Sequence, residues 1–82
     1  GVSEEEARQL VIDARRVAAP FPNDPAAQVM LAEAEYDADN YALAEAAAER
    51  VLAANPRLVD ALLYKARARL ALLQQATEAN PA

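Results

Sequence analysis

The chain has 82 residues, 55% of them hydrophobic and more than half of those alanine, with no Cys, His or Trp and a net charge of −5. A chain of this length buries only about 60–65% of the surface its unfolded form exposes, and alanine adds little area per residue, so the expected core is thin and lined by Leu and Val between closely packed helices. Without Cys or His there is no disulfide framework, no thiolate chemistry, no soft or imidazole ligand for zinc, and no base for a nucleophilic triad.

The acidic balance disfavours a nucleic-acid or anionic-membrane binder. No apolar run approaches the roughly 18 residues of a membrane span, and no basic start leads into an apolar region. The expectation is a soluble chain whose compartment the sequence does not state. Gly1, the only glycine, reads as a remnant of tag removal and is left out of the fold reading.

In chain order, Ser3-Glu4-Glu5-Glu6 matches a capping box, with Ser3 as N-cap and Glu6 reaching back. Ala7, Leu10, Val11, Ala14, Val17 and Ala18 then recur at helical spacing and predict a first helix over 4–19. Arg15 and Arg16 fall in its last turn, where a cation complements the helix C-terminus. Prolines at 20, 22 and 25 stop it, and Phe21 between them is expected to plug a gap between helices. Asp24 caps a second helix over 25–37 with Pro25 at its first position.

The polar turn Asp37-Ala38-Asp39-Asn40 leads to a third helix over 41–54, with Leu43, Ala44, Ala47, Val51 and Leu52 on its apolar face. Asn55-Pro56 ends it. A fourth helix is expected over 58–78, packed through Val59, Leu62, Leu63, Ala66, Leu70 and Leu73 and fraying before Asn80-Pro81. Charge is two-ended: Asp24 to Glu49 holds seven acids and no base, whereas Arg57, Lys65, Arg67 and Arg69 stand against Asp60.

Shifted by 34, the chain matches itself at Ala14/Ala48, Arg16/Arg50, Val17/Val51, Ala19/Ala53, Pro22/Pro56, Ala27/Ala61, Ala32/Ala66 and Ala34/Ala68. Alanine inflates that agreement, but the Arg, Val and Pro matches coincide with helix ends. A helical pair repeating every 34 residues is the signature of the tetratricopeptide repeat. Residues 25–58 resemble one such repeat: Leu31-Ala32 at the Leu-Gly step, Tyr41 at the start of the second helix, Ala44 at its small-residue contact, and Pro56 at the end.

Several positions depart from the family pattern. Gln28 replaces the large aromatic, Tyr36 falls one place late, Asp39 replaces the inter-helix Gly, Ala48 replaces Phe or Tyr, and Lys65 takes a Leu place in the next copy. The resemblance covers about 14–70. It implies an all-α fold of antiparallel hairpins in a right-handed superhelix. The domain reading is one helical-repeat unit over 1–82: a half repeat at 3–22, a full repeat at 25–58, and a half repeat with extended helix at 59–79.

Candidate chemistry reduces to carboxylates. Glu33/Asp37 and Glu35/Asp39 are i, i+4 pairs, which could do acid–base work only if burial drove their pKa values apart. A solvated acidic face is the plainer account, and no enzyme activity is expected. Asp37-x-Asp39-Asn40 opens like a calcium loop but lacks the central Gly and a Glu at the twelfth place, where Ala48 stands. Neither a metal nor a cofactor is called for. The Lys65/Arg67/Arg69 run offers too few phosphate contacts for nucleic acid.

Because Glu33 and Glu35 correspond to Arg67 and Arg69 at the 34-residue shift, these residues are expected to pair across neighbouring helices. The family resemblance implies a concave partner groove for a peptide or partner protein, lined by Val29, Met30, Glu33, Tyr36, Asp37, Leu63, Tyr64 and Arg67. Met30 and Tyr64 read equally well as packing residues. A carboxylate clamp is not supported, since Val29 and Glu33 stand where it requires Lys and Asn. Leu70, Leu72 and Leu73 form an alternative self-association face through which the fourth helix would join a second copy as a homodimer, or dock on another domain.

Overall fold

Each helix begins and ends on a local signal. In the computed structural model, which describes residues 2–79, the chain forms four α-helices: α1 (Glu4–Ala18), α2 (Pro25–Asp37), α3 (Tyr41–Ala54) and α4 (Val59–Ala79). Ser3 accepts from the Glu6 amide at 3.2 Å, forming the serine half of the capping box. Asp24 caps α2 through the Ala27 amide at 2.9 Å, with Pro25 following it. Gly1 and the Asn80-Pro81 stop lie outside the described residues. Thr77 belongs to α4 rather than to a tail, and its hydroxyl donates to the Leu73 carbonyl at 3.0 Å.

The turn between α2 and α3 is a Schellman closure. Asn40 N–H reaches the Glu35 carbonyl at 2.8 Å and Asp39 N–H the Tyr36 carbonyl at 3.0 Å, with Asp39 at φ 63°. That left-handed conformation is the one an inter-helix glycine would take, and Asp tolerates it better than most residues. Asn40 occupies the N-cap position of α3, yet its side chain makes no cap bond and turns instead to Glu35.

Helix directions follow from paired side chains. On α3 and α4 the ion pairs Glu45–Arg69 and Glu49–Lys65 advance one turn along one helix and retreat one along the other, as antiparallel neighbours must. Gln28–Arg50 and the Tyr36–Tyr41 ring contact do the same for α2 and α3. Among the described residues α1 packs on α2 alone, whereas α2 also meets α3 and α4. The result is a slab 42 × 31 × 19 Å, its thin dimension that of two helix layers.

The core differs from the Leu/Val lining expected above. The buried apolar residues are Ala7, Val11, Ala14 and Ala18 on α1, Ala32 on α2, Ala44, Ala47, Ala48 and Val51 on α3, and Ala61, Ala68 and Ala71 on α4. No large side chain is fully enclosed among the described residues. Alanine faces let helix axes approach to the short end of the usual 8–10 Å, which leaves no room for leucine at the crossings. The leucines therefore sit at the rims or outside.

On α4 the expected packing row of Val59, Leu62, Leu63, Ala66, Leu70 and Leu73 is exposed, with Val59 at 73%, and Ala61, Ala68 and Ala71 take its place inside. Leu43 is likewise outside, and Ala48 is buried. Phe21 is not a plug: it is 56% exposed, and the backbone of its turn does the bonding through the Ala18 carbonyl and the Gln28 side chain.

A core of this kind should respond to added volume more than to lost leucine. Ala47→Leu is expected to lower stability in urea denaturation by about 1–3 kcal/mol. Leu43→Ala, half exposed, should cost less than about 1 kcal/mol. The reverse order would show that the helices are not held by alanine contact.

Candidate functional site

Two surfaces border α2. The first is built with α4. Ala32, Ala47 and Ala48 form a buried cluster against which Leu31 and the half-buried Tyr64 pack. From that base Tyr64 meets the edge of Tyr36 at 6.0 Å between ring centroids, and Tyr36 meets Tyr41 at 5.4 Å. Edge and tilted geometries of this kind suit aromatic quadrupoles. The Arg67 guanidinium lies 5.6 Å from the Tyr64 centroid, a cation–π distance. The Tyr64 phenol has a raised pKa, first because it is buried and then because Glu33 and Asp37 face it, with Arg67 acting the other way.

Tyr64 is thus both packing and surface, one edge on the alanine core and the other in an acidic setting. Of the eight candidate groove residues, Glu33, Tyr36, Asp37, Tyr64 and Arg67 converge here. Leu63 is exposed on α4 and Val29 is half-buried.

Met30 turns to the second surface, an open groove of about 330 Å³ between α1 and α2. Leu10, Val17, Met30 and Ala34 make it apolar, and Asp13, Glu33 and Asp37 make it acidic. Its α1 wall was not among the sequence candidates, although Leu10 and Val17 belonged to the predicted stripe. What sequence alone did not show is that Leu10 and Val17 stay about half exposed at the groove. Of the candidate self-association face, Leu70 and Leu73 are exposed and Leu72 is half-buried.

The expected pairing of Glu33 and Glu35 with Arg67 and Arg69 does not form. Glu35, almost fully buried, takes a two-pronged hydrogen bond from Arg15 of α1, Nε to Oε2 and Nη2 to Oε1, both at 2.9 Å. Asn40 adds a third bond to Oε1 at 3.0 Å. The contact holds the Arg15 guanidinium yet more firmly protonated than usual. Arg15 therefore clamps α1 to α2 instead of serving its own helix end.

Arg69 reaches Glu45 on α3, its Nε 2.9 Å from Oε2, but that buried oxygen receives no well-directed hydrogen bond, so the contact is an ion pair of close approach. Lys65 stands 4.0 Å from Glu49. The 34-residue correspondence named which charges reverse, and antiparallel neighbours rather than corresponding positions decide which of them meet. Buried Gln28, where the repeat family carries an aromatic, accepts from Arg50 Nε at 2.9 Å and donates to the Phe21 carbonyl at 3.2 Å.

Asp39 accepts from the Tyr41 hydroxyl at 2.8 Å, which raises the Tyr41 pKa through that bond and partial burial. With Glu35 and Asp39 so engaged, the i, i+4 pair they form is committed to structure. Among the described residues no group of three or more His, Cys, Asp or Glu side chains is placed to hold a metal ion, and no helix is long and apolar enough to cross a membrane. The chain matches no family model, and comparison with curated proteins and with solved structures finds no significant match.

Removing the clamp should loosen α1. Arg15→Met is expected to cost about 1–2 kcal/mol, discounted for the half-exposed guanidinium, because it leaves Glu35 buried with Asn40 alone. Arg8→Met on the exposed side of α1 should stay within about 0.5 kcal/mol in the same urea titration. Equal effects would remove the clamp from the account.

The two tyrosines set an alkaline limit. Both folded pKa values lie above the ordinary value of about 10, so the neutral phenols contribute stability fully below that value. That contribution disappears as pH rises through the raised folded values. The urea midpoint is expected to fall above about pH 10, and Tyr41→Phe with Tyr64→Phe should flatten the fall. An unchanged slope in the double variant would contradict the assignment.

Proposed function

We propose that the chain is a non-enzymatic protein-interaction module of the tetratricopeptide kind, its hairpins stacking as a right-handed superhelix around one complete repeat at 25–58. Supporting the repeat reading are the 34-residue self-match and the left-handed Asp39 at the inter-helix turn. The observation that carries the function is the open surface where α2 meets α4. There Tyr36 and Tyr64 supply rigid faces, Leu63 an exposed apolar contact, and Glu33, Asp37 and Arg67 the surrounding charge. A surface of this make-up suits an extended peptide or partner segment that alternates apolar and basic residues, its cations meeting Glu33 and Asp37.

The exposed Leu70 and Leu73 support a second reading, in which the repeats also join to a further helical surface.

Selection from an unbiased peptide library on the immobilised chain tests the first reading. Enriched sequences are expected to be apolar and basic, to bind with micromolar Kd, and to lose about tenfold or more in affinity on Glu33→Lys with Asp37→Lys. Tyr64→Ala should weaken them further. Enrichment that is indifferent to all three substitutions would refute the surface as the binding site.

A further inference from the structure

The molecule contains a template for covering its own open ends. Through the residues Gln28, Ala32 and Glu35, α2 buries one face; Ala32 packs with Ala48, and Gln28 lies beside Val51 and Arg50 of α3. Shifted by 34, that face becomes Leu62, Ala66 and Arg69 of α4, which are exposed. Leu70, the image of Tyr36, is 57% exposed on the same side.

The receiving surface has an image too. Ala44, Ala48 and Val51 of α3 are buried, and Tyr64 of α4 is half-buried against Ala32. Their counterparts 34 residues earlier are Leu10, Ala14, Val17 and Met30, and all four line the α1–α2 groove. Ala14 is buried, but Leu10 is 49% and Val17 55% exposed, because α1 has α2 as its only neighbour among the described residues. One end of the slab therefore lacks the helix that α2 supplies inside, and the other end carries a helix with that same face uncovered.

We propose that a second copy of this chain fills the gap: α4 of one copy seats its Leu62–Ala66–Leu70 row in the α1–α2 groove of the next. This occupant rests on the repeat reading proposed above, since the 34-residue image defines both faces. Charge favours it independently. The groove carries Asp13, Glu33 and Asp37, and Arg67 stands on α4. Within the chain, Glu33 faces the Tyr64–Arg67 site across α2 and α4. The image of that contact places Arg67 of one copy beside Glu33 of the next, where the reversed sign makes an attraction. The groove face and the α4 face are different patches, so the contact is head-to-tail and does not close at a dimer.

Sedimentation of the purified chain over rising concentration tests this. The expected result is a mass that climbs from the 8.8 kDa monomer past a dimer and falls back with added salt. Val17→Glu and Leu70→Glu, both at exposed positions, should each keep full helical circular dichroism and stay monomeric. Mixed one to one, they should form a heterodimer and nothing larger, since each retains one open end.

If either substitution disturbs the helices, Arg67→Glu and Glu33→Arg replace them: each alone should associate weakly, and the mixture should recover. A wild-type chain that remains monomeric throughout overturns the proposal and assigns the faces to another segment or partner. Persistent dimers of Val17→Glu alone overturn it in favour of an α4–α4 pair. Peptide binding by the monomeric Val17→Glu variant, whose tyrosine surface is intact, separates failure of stacking from failure of the interaction reading.

Discussion

Alanine at the helix crossings is the constraint on which this structure depends. Ala32, Ala44, Ala47, Ala48, Ala61 and Ala68 are wholly enclosed, and nothing larger is. Close approach of the axes follows, and with it the displacement of leucine to the rims. A buried methyl group contributes only about 0.8 kcal/mol, so a core built from such groups is thin even when tightly packed. Smooth alanine faces also discriminate weakly between one helical register and the next, because they offer few knobs to fit into holes.

Register must therefore come from contacts with direction. The Arg15–Glu35–Asn40 arrangement joins α1, α2 and the following turn, and Gln28 joins the α1–α2 connection to α3 through Arg50. Sliding α1 by one turn, about 5.4 Å, would strip Glu35 of both Arg15 bonds and leave a buried carboxylate with one partner. The Tyr36–Tyr41–Tyr64 chain of rings plays the corresponding part at the other side of α2, where the packed faces are otherwise flat. Polar and aromatic ties set the alignment that alanine permits but does not choose.

This division explains what could be read from the sequence. Helix limits were legible because caps and prolines act locally: Ser3, Asp24, Pro25 and Asn55-Pro56 each stand within a residue or two of an observed boundary. Which face of α4 turns inward was not. Periodicity favours the larger residues, so Leu62, Leu70 and Leu73 outweighed Ala61, Ala68 and Ala71, although three-dimensional crowding selects the smaller set. Charge partners failed for a related reason. Correspondence at 34 residues compares like positions in successive helix pairs, but Glu45–Arg69 and Arg15–Glu35 join unlike helices running in opposite directions. In the candidate groove, Tyr36, Tyr64 and Arg67 were recovered by analogy of position, while the α1 wall was missed because Leu10 and Val17 had been counted as core.

Reversal of charge along the repeat has a physical consequence of its own. Under the repeat reading, α2 and α4 are neighbouring helices of one class, and they touch in this structure. Acids at Glu33 and Glu35 repeated unchanged would have placed like charges across that contact, at a cost that grows as burial lowers the local dielectric. Arg67 and Arg69 remove the repulsion: Arg67 offsets Glu33 and Asp37 around Tyr64, and Arg69 is free to answer Glu45 on α3. The same reversal leaves the α1 end acidic and the α4 end basic, so whatever relieves strain between helices inside the chain also polarises its two outer faces. Internal stability and end-to-end complementarity then have one origin, the alternation of sign from one helix pair to the next.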